Sequence, residues 1–348
     1  MEQAPMNGTV PGAVYVQTNA APNEVIAFRR AQDGSLDLIG SVETGGDGDG
    51  SPHLTSQGSV ALTRDGWHLL VTNAASDDLS VFSVADDGSI ELRDRVHTGP
   101  TPKSVTERDG LVVVLNTGQP GLASFRLDED GSIAPVEGGD QALASSDADP
   151  AQVAFSPDGS IIVITERGTD SIVTYEVAAD GTFGASQSIE SQGPTPYGFA
   201  FTSGGALVVA EAFRAEKGAA AASSYALVDG SLEPRTPSVG NGRSEICWAV
   251  ITPDDRFAFT TNFADGAVSR FAIAADGSLS LEDATAGIAV EGMPGLRDED
   301  LSSDGHFLYA IDADGRRIYG WSVDAEGSLE PIGSWEGVPE TVAGLAAS

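Results

Sequence analysis

One turn recurs seven times along these 348 residues: an apolar run, then Asp-Gly or Glu-Gly, then Ser or Thr and another apolar residue. The instances are Asp33-Gly34-Ser35, Asp87-Gly88-Ser89, Asp130-Gly131-Ser132, Asp180-Gly181-Thr182, Asp229-Gly230-Ser231, Asp276-Gly277-Ser278 and Glu326-Gly327-Ser328. Their glycines stand 54, 43, 50, 49, 47 and 50 residues apart. Self-similarity on that scale marks a propeller, solenoid or array, in which each repeat buries its apolar face only against its neighbours.

The repeat is made of strands. Asp-Gly between apolar segments signals a hairpin, because a two-residue turn needs positive φ angles that Gly, Asn and Asp tolerate. A second turn series interleaves with the first, at Arg64-Asp65-Gly66, Arg108-Asp109-Gly110, Pro157-Asp158-Gly159, Ser203-Gly204-Gly205, Pro253-Asp254-Asp255 and Ser303-Asp304-Gly305. Residues 152–189 then read as a four-stranded antiparallel meander: 152–155 (A), 161–165 (B), 171–177 (C) and a ragged outer strand near 183–189 (D). Radial repetition of such sheets leaves only short, protected edges. The expected fold is therefore an all-β propeller.

Six intact blades fall at about 59–100, 102–139, 150–194, 196–242, 245–290 and 294–339. Residues 13–46 supply strands B, C and D without an A, and 341–347 read as an A strand with nothing after it. Together they make a seventh blade, so a sheet shared by both ends closes the ring. The glycine-rich stretch 45–50 falls between blades, and the whole of 1–348 is expected to be one domain.

With 52 acidic against 18 basic residues the formal charge is −34, which repels nucleic acid and anionic lipid. No apolar stretch of eighteen residues and no signal-peptide pattern occurs, so no membrane partner is expected, and the cytoplasm is the default location. Cys247 is the single cysteine and reads as a packed thiol. The four histidines (His53, His68, His97, His306) are scattered, with no haem-attachment motif. The expected partner is a small-molecule substrate, bound by a monomer without a cofactor.

Both turn series lie on one face, the bottom, so the non-repetitive B–C loops and D–A crossings lie on top, around the mouth of the axial channel. The ends of strand B are Asn19, Asn73, Asn116, Glu166, Glu211, Asn262 and Asp312, and the crossings add His53, Lys103, Gln152, Tyr197, Glu245, Arg297, Asp298 and Asp300. The asparagines are expected to cap their own turns, and Glu166 to pair with Arg167. Glu211 opens the longest B–C loop, 211–222, which is expected to form a short helical lid carrying Arg214.

The segments Val14-Tyr15-Val16-Gln17-Thr18-Asn19, Leu69-Leu70-Val71-Thr72-Asn73, Phe155-Ser156-Pro157-Asp158-Gly159 and Gly168-Thr169-Asp170-Ser171-Ile172 resemble the repeats of the seven-bladed propeller lactonase family, over nearly the whole chain. That family includes 6-phosphogluconolactonases and carboxymuconate lactonizing enzymes. The resemblance implies metal-free chemistry by a His in one blade, an Arg and a Glu in the next, and a second Arg one blade further on. By motif the Glu falls on Glu211. The His segment reads Pro150-Ala151-Gln152, and the two Arg positions read Tyr197 and Phe263. Losing two guanidinium groups implies a less charged, more aromatic substrate than phosphogluconolactone.

The leading expectation is a lactonase-like hydrolase, or a related lyase or isomerase, acting on a small ring compound. Glu211 would be general base, Arg243 or Arg297 would stabilise the oxyanion, and His53, Lys103, Gln152, Tyr197, Arg214, Glu245, Trp248 and Phe263 would contact substrate. One alternative is a non-catalytic propeller binding a partner on its top face. Another is a calcium-assisted lactonase using Glu166, Glu211, Asn262 and Asp312.

Overall fold

The computed structural model describes residues 12–52 and 54–348; His53 lies outside them. The described chain forms seven four-stranded antiparallel sheets. Blade 1 is built from Ala343–Ala347, Gly12–Gln17, Glu24–Arg30 and Leu36–Glu43, in that order from the axis outward. The innermost strands of blades 2 to 7 are Val60–Leu62, Pro102–Arg108, Pro150–Phe155, Pro196–Phe201, Ile246–Ile251 and Leu296–Leu301. The strands just outside them, such as Ile161–Glu166 and Phe307–Asp312, are buried throughout, because a neighbouring blade covers each face. Outer strands such as Phe183–Glu190 are mostly exposed.

The repeated glycine proves to be a contact between blades. A Cβ added to Gly34, Gly88, Gly131, Gly181, Gly230, Gly277 or Gly327 would meet Phe307, Ala13, His68, Leu111, Ile161, Ala206 or Phe257 respectively. Each of these lies at the start of strand B in the preceding blade. Each glycine also has positive φ, so a side chain would be strained at all seven and crowded at every one but Gly230, where Ile161 stands at 3.4 Å. The period in the sequence is thus the period of the interface.

The turns themselves differ from expectation. In the second series, Asp109-Gly110 is a two-residue hairpin, with Arg108 facing Leu111; in the first, Asp229-Gly230 alone is one, with Val228 facing Ser231. In five others the turn is wider, and the aspartate accepts both the N–H and the hydroxyl of the following Ser or Thr, as Asp33 does from Ser35 at 3.0 and 2.6 Å. At Glu326-Gly327-Ser328, Asp324 takes that place, accepting from Ser328 N at 2.7 Å.

On the top face a second device repeats. The residue before strand A has positive φ in blades 3 to 7: Thr101, Asp149, Thr195, Glu245 and Gly295. Its carbonyl accepts the N–H of the first residue after strand B, namely Thr117, Arg167, Ala212, Phe263 and Ala313, at 2.9–3.2 Å. A left-handed backbone repeated five times, strained at the four non-glycine positions, fixes what faces the mouth.

Ring closure follows the expected pairing, with Tyr15 opposite Ala346 and Val16 opposite Leu345. Buried carboxylates reinforce it from blade 7: Asp298 accepts from Gly344 N at 3.1 Å and Asp300 from Ala347 N at 2.9 Å. Burial pushes both carboxyl groups up to about 7.

Two predictions follow from this packing. Gly327→Ala, driven against the Phe257 ring at 2.7 Å, should destabilise the protein by about 2 kcal/mol in urea unfolding; an unchanged midpoint would refute the interface role. For Asp298 and Asp300, a group at about 7 when folded and 3.8 in an open chain holds its extra proton between those limits. Their stabilisation is full below pH 3.8 and is lost as pH rises through 7. Wild type minus Asp298→Asn/Asp300→Asn should therefore show an unfolding free-energy difference that declines across that window and then levels; a difference independent of pH would contradict it.

Candidate functional site

The strained residues before strand A and the strands they launch bring a compact group to the mouth. Ala151, Tyr197, Ala212, Cys247 and Trp248 pack together, with Phe263 against them. The Tyr197 and Trp248 rings lie 5.6 Å apart, centre to centre. Glu245, Arg167, Arg297 and Asp298 all act electrostatically on the Cys247 thiol at the centre. Burial is the largest influence on that thiol and raises it far above its ordinary range, so it stays protonated and is no nucleophile. The Tyr197 phenol is likewise raised by burial and remains a donor, and its hydroxyl has no hydrogen-bond partner among the described residues.

Two guanidinium groups stand on this wall. Arg167 lies 4.9 Å above the Tyr197 ring and pairs with Asp149 at 2.7 Å. Arg297 lies 5.3 Å above the Phe263 ring and reaches Asp314 at 3.4 Å. Tyr197 and Phe263 are the two positions at which the resemblance leads one to expect arginine. Each carries an arginine stacked on its face, delivered from another strand end, so the positive charge that the sequence reading took as lost is present. The expected Glu166–Arg167 pair is absent: Glu166 accepts from the Thr169 hydroxyl at 2.6 Å instead.

The channel below is bridged by the chain itself. The crossing from blade 1 to blade 2 dips inward, and Gln57 exchanges hydrogen bonds with the backbone of Ala249 at 2.9 and 3.1 Å. Gln152 does the same for Phe199 one blade earlier, at 3.0 and 2.6 Å. Gly198 has no side chain to perform this task for blade 6, and Gln57 occupies the space a Cβ there would take. The Trp248 indole N–H donates to the Ser56 carbonyl at 3.0 Å. Gln152 and Trp248, both expected at substrate, are thus engaged in holding inner strands and the bridge.

Glu211 lies apart from this group. It is 0% exposed, and its oxygens accept from Gly193 N at 2.8 Å, Ser223 Oγ at 2.6 Å, Ser191 Oγ at 3.3 Å and the Ser238 hydroxyl. It ties strand B to the D–A crossing, as Asn73 does through Thr44 and Asn262 through Asn241. The asparagines therefore anchor crossings, beyond capping their own turns; in blade 1 strand B ends at Gln17, with Asn19 in the loop. The expected lid is a single turn, Phe213–Ala215, and Arg214 on it pairs with Asp170. Arg243 is half-buried, with no side-chain partner among the described residues. Lys103 is half-buried near Asp49, Asp149 and Arg167, and burial lowers its ammonium. Glu245 is half-buried, its carboxylate unbonded among the described residues, and burial followed by the Asp265 charge raises it.

Glu166, Glu211 and Asp312 belong to no cluster of metal-ligating side chains among the described residues, and Asp312 accepts from Gly315 N at 2.8 Å. A cleft of about 890 Å³ lies outside the mouth, lined by Thr18, Pro22, Ile26, Leu38, Val338 and Pro339. It holds none of the groups described above. No described helix is long and apolar enough to cross a membrane.

A family model described as lactonase, 7-bladed beta-propeller, matches residues 13–142 and 132–216. No curated protein sequence matches the chain. Among solved structures, a candidate 6-phosphogluconolactonase from Bacteroides fragilis is 19% identical with a TM-score of 0.79, covering 99% of this chain and 100% of its own. A similar candidate from Bacteroides uniformis is 18% identical with a TM-score of 0.77, covering 96% and 99%. The periplasmic gluconolactonase of Pseudomonas aeruginosa is 18% identical with a TM-score of 0.73, covering 97% and 98%.

Gly198→Ala should expel Gln57, since the new Cβ would also stand 2.5 Å from the Cys247 carbonyl oxygen. The expected result is a loss of about 2 kcal/mol in stability and a red-shifted tryptophan emission as Trp248 loses its cover. Unchanged emission and stability would contradict the bridge.

Proposed function

The chain belongs to the seven-bladed β-propeller lactonase family, and from that premise we propose that it hydrolyses a small cyclic ester at the mouth of its channel. The observation that carries this reading is the grouping of a carboxylate unbonded among the described residues, a buried phenol donor and two stacked guanidinium groups around Cys247. Glu245 is the general base in this scheme, in preference to Glu211, whose oxygens are occupied.

The chemistry needs no group from outside the chain. Glu245 takes a proton from water as the water oxygen attacks the ring carbonyl. The carbonyl oxygen becomes an oxyanion, and the Tyr197 hydroxyl donates to it. The tetrahedral intermediate expels the ring oxygen, which receives the proton back from Glu245, leaving an open hydroxy acid. Tyr197 and Phe263 supply the flat apolar wall, with Trp248 packed behind Tyr197, and the same low-polarity surroundings that raise Glu245 make it a better base near neutrality.

Glu245→Gln should lower kcat on a panel of five- and six-membered lactones by about 100-fold or more with the fold intact. In the wild type, kcat/KM should rise with pH through a value above the ordinary glutamate range, because the base acts only when deprotonated and burial raises it. If Glu211→Gln abolished turnover in a folded protein while Glu245→Gln did not, the base would be Glu211.

A further inference from the structure

Fourteen Asp-Gly pairs occur in this chain, and in thirteen the glycine N–H is already given to an oxygen of the protein, at 2.6–3.1 Å. Gly230 is the fourteenth. Its N–H has no acceptor among the described residues, and the exposed Asp229 carboxylate before it accepts no hydrogen bond from them. No other Asp-Gly pair combines the two.

The turn type is the cause. In the wider outer turns the glycine N–H reaches the residue three places back, as Gly34 does to Ala31 O at 3.0 Å, while the aspartate holds the N–H and hydroxyl of the next Ser or Thr. At Asp229-Gly230 the strands close on two residues, with Leu227 facing Leu232 and Val228 facing Ser231, so both partners are drawn into the ladder. Asp109-Gly110 is the same tight turn, but there Glu107 Oε1 accepts the Gly110 N–H at 2.7 Å. At Asp47 the carboxylate is open among the described residues, yet Gly48 N is held on Ala20 O at 2.6 Å.

We propose that Asp229-Gly230 is a site of spontaneous covalent modification, where the folded chain ages into isoaspartate, and that the other Asp-Gly pairs are guarded by their own hydrogen bonds. The Gly230 nitrogen attacks Cγ of Asp229, unobstructed by any Cβ on the glycine. The amide proton and the carboxyl hydroxyl leave as water, and a five-membered succinimide closes. Water then opens the ring, and cleavage between the nitrogen and the main-chain carbonyl carbon of Asp229 leaves the backbone running through Cγ. No oxidant or other reagent enters. The guarded outer aspartates are poorer electrophiles, because hydrogen bonds from the Ser or Thr hydroxyl and N–H hold their carboxyl groups below the usual range and keep them ionised. The change falls on a contact between blades: Gly230 is seated by Ile161, and its carbonyl accepts the Thr174 hydroxyl at 3.0 Å.

The test keeps the full chain at neutral pH and physiological temperature in water enriched in oxygen-18, either folded or in urea. Digestion with trypsin in ordinary water and fragmentation in the mass spectrometer then read isoaspartate and heavy-oxygen uptake residue by residue. Asn-Gly pairs lose ammonia and change mass, which keeps them apart in the reading. In the folded protein Asp229 should exceed every other Asp-Gly site by about tenfold or more, since elsewhere a hydrogen bond must open first; in urea that lead should vanish. Asp229→Glu, which would need a six-membered ring, should abolish uptake at this turn, and Glu107→Ala, which frees the Gly110 amide, should make Asp109 a second site. Once most of Asp229 has converted, stored wild type should unfold at lower urea than stored Asp229→Glu. The proposal is overturned if another Asp-Gly pair reacts first in the folded protein, if the sites react evenly there, or if the lead of Asp229 persists in urea. An inert Asp109 in Glu107→Ala, or equal urea midpoints for the two stored proteins, would overturn it as well.

Discussion

The structure depends on covering both faces of seven small sheets, none of which could bury its own apolar side chains alone. Each blade meets the next through a glycine in its outer turn, seated against the first residue of the preceding blade's second strand, as Gly34 is on Phe307 and Gly327 on Phe257. Because every blade needs a neighbour on both sides, the arrangement is complete only as a closed ring. Ala343–Ala347 supplies the last edge, held by Tyr15 and its neighbours on one side and by Asp298 and Asp300 on the other. Rigidity at the bottom leaves the top free to vary.

Much of this was legible because it is periodic. The Asp-Gly-Ser spacing fixes the number of sheets, and the missing inner strand at the start and the spare one at the end fix the closure. The turn geometry was less so: Asp-Gly suggests a two-residue hairpin, but in the outer turns the aspartate's bonds to the following N–H and hydroxyl favour a wider one, and the tight form is kept at Asp229-Gly230 and, in the inner series, at Asp109-Gly110. The grouping at the mouth was partly legible. Tyr197, Glu245, Trp248, Phe263 and Arg297 are brought together, whereas Glu211, Gln152 and Arg214 are spent on anchoring crossings, inner strands and a loop.

What could not be read were relations through space between residues far apart in sequence. Nothing local says that Gln57 reaches Ala249, although a glycine at 198 among side-chain-bearing inner-strand positions is the trace it leaves. Nor does substitution of an arginine reveal that another stacks on its replacement, as Arg167 does on Tyr197 and Arg297 on Phe263. Charge at a mouth is set by which groups arrive there, and different strand ends deliver it here. The outcome is a pair of guanidinium groups stacked on aromatic rings, each with an aspartate partner, on a strongly acidic protein.

The most direct test of this account is a crystal structure of the protein soaked with the hydroxy acid released from a lactone it turns over. The expected place of that product is the aromatic wall, with the Glu245 carboxylate facing the former ester carbon and the Tyr197 hydroxyl on its oxygen. Density in the outer cleft between Leu38 and Pro339, with the mouth empty, would contradict it.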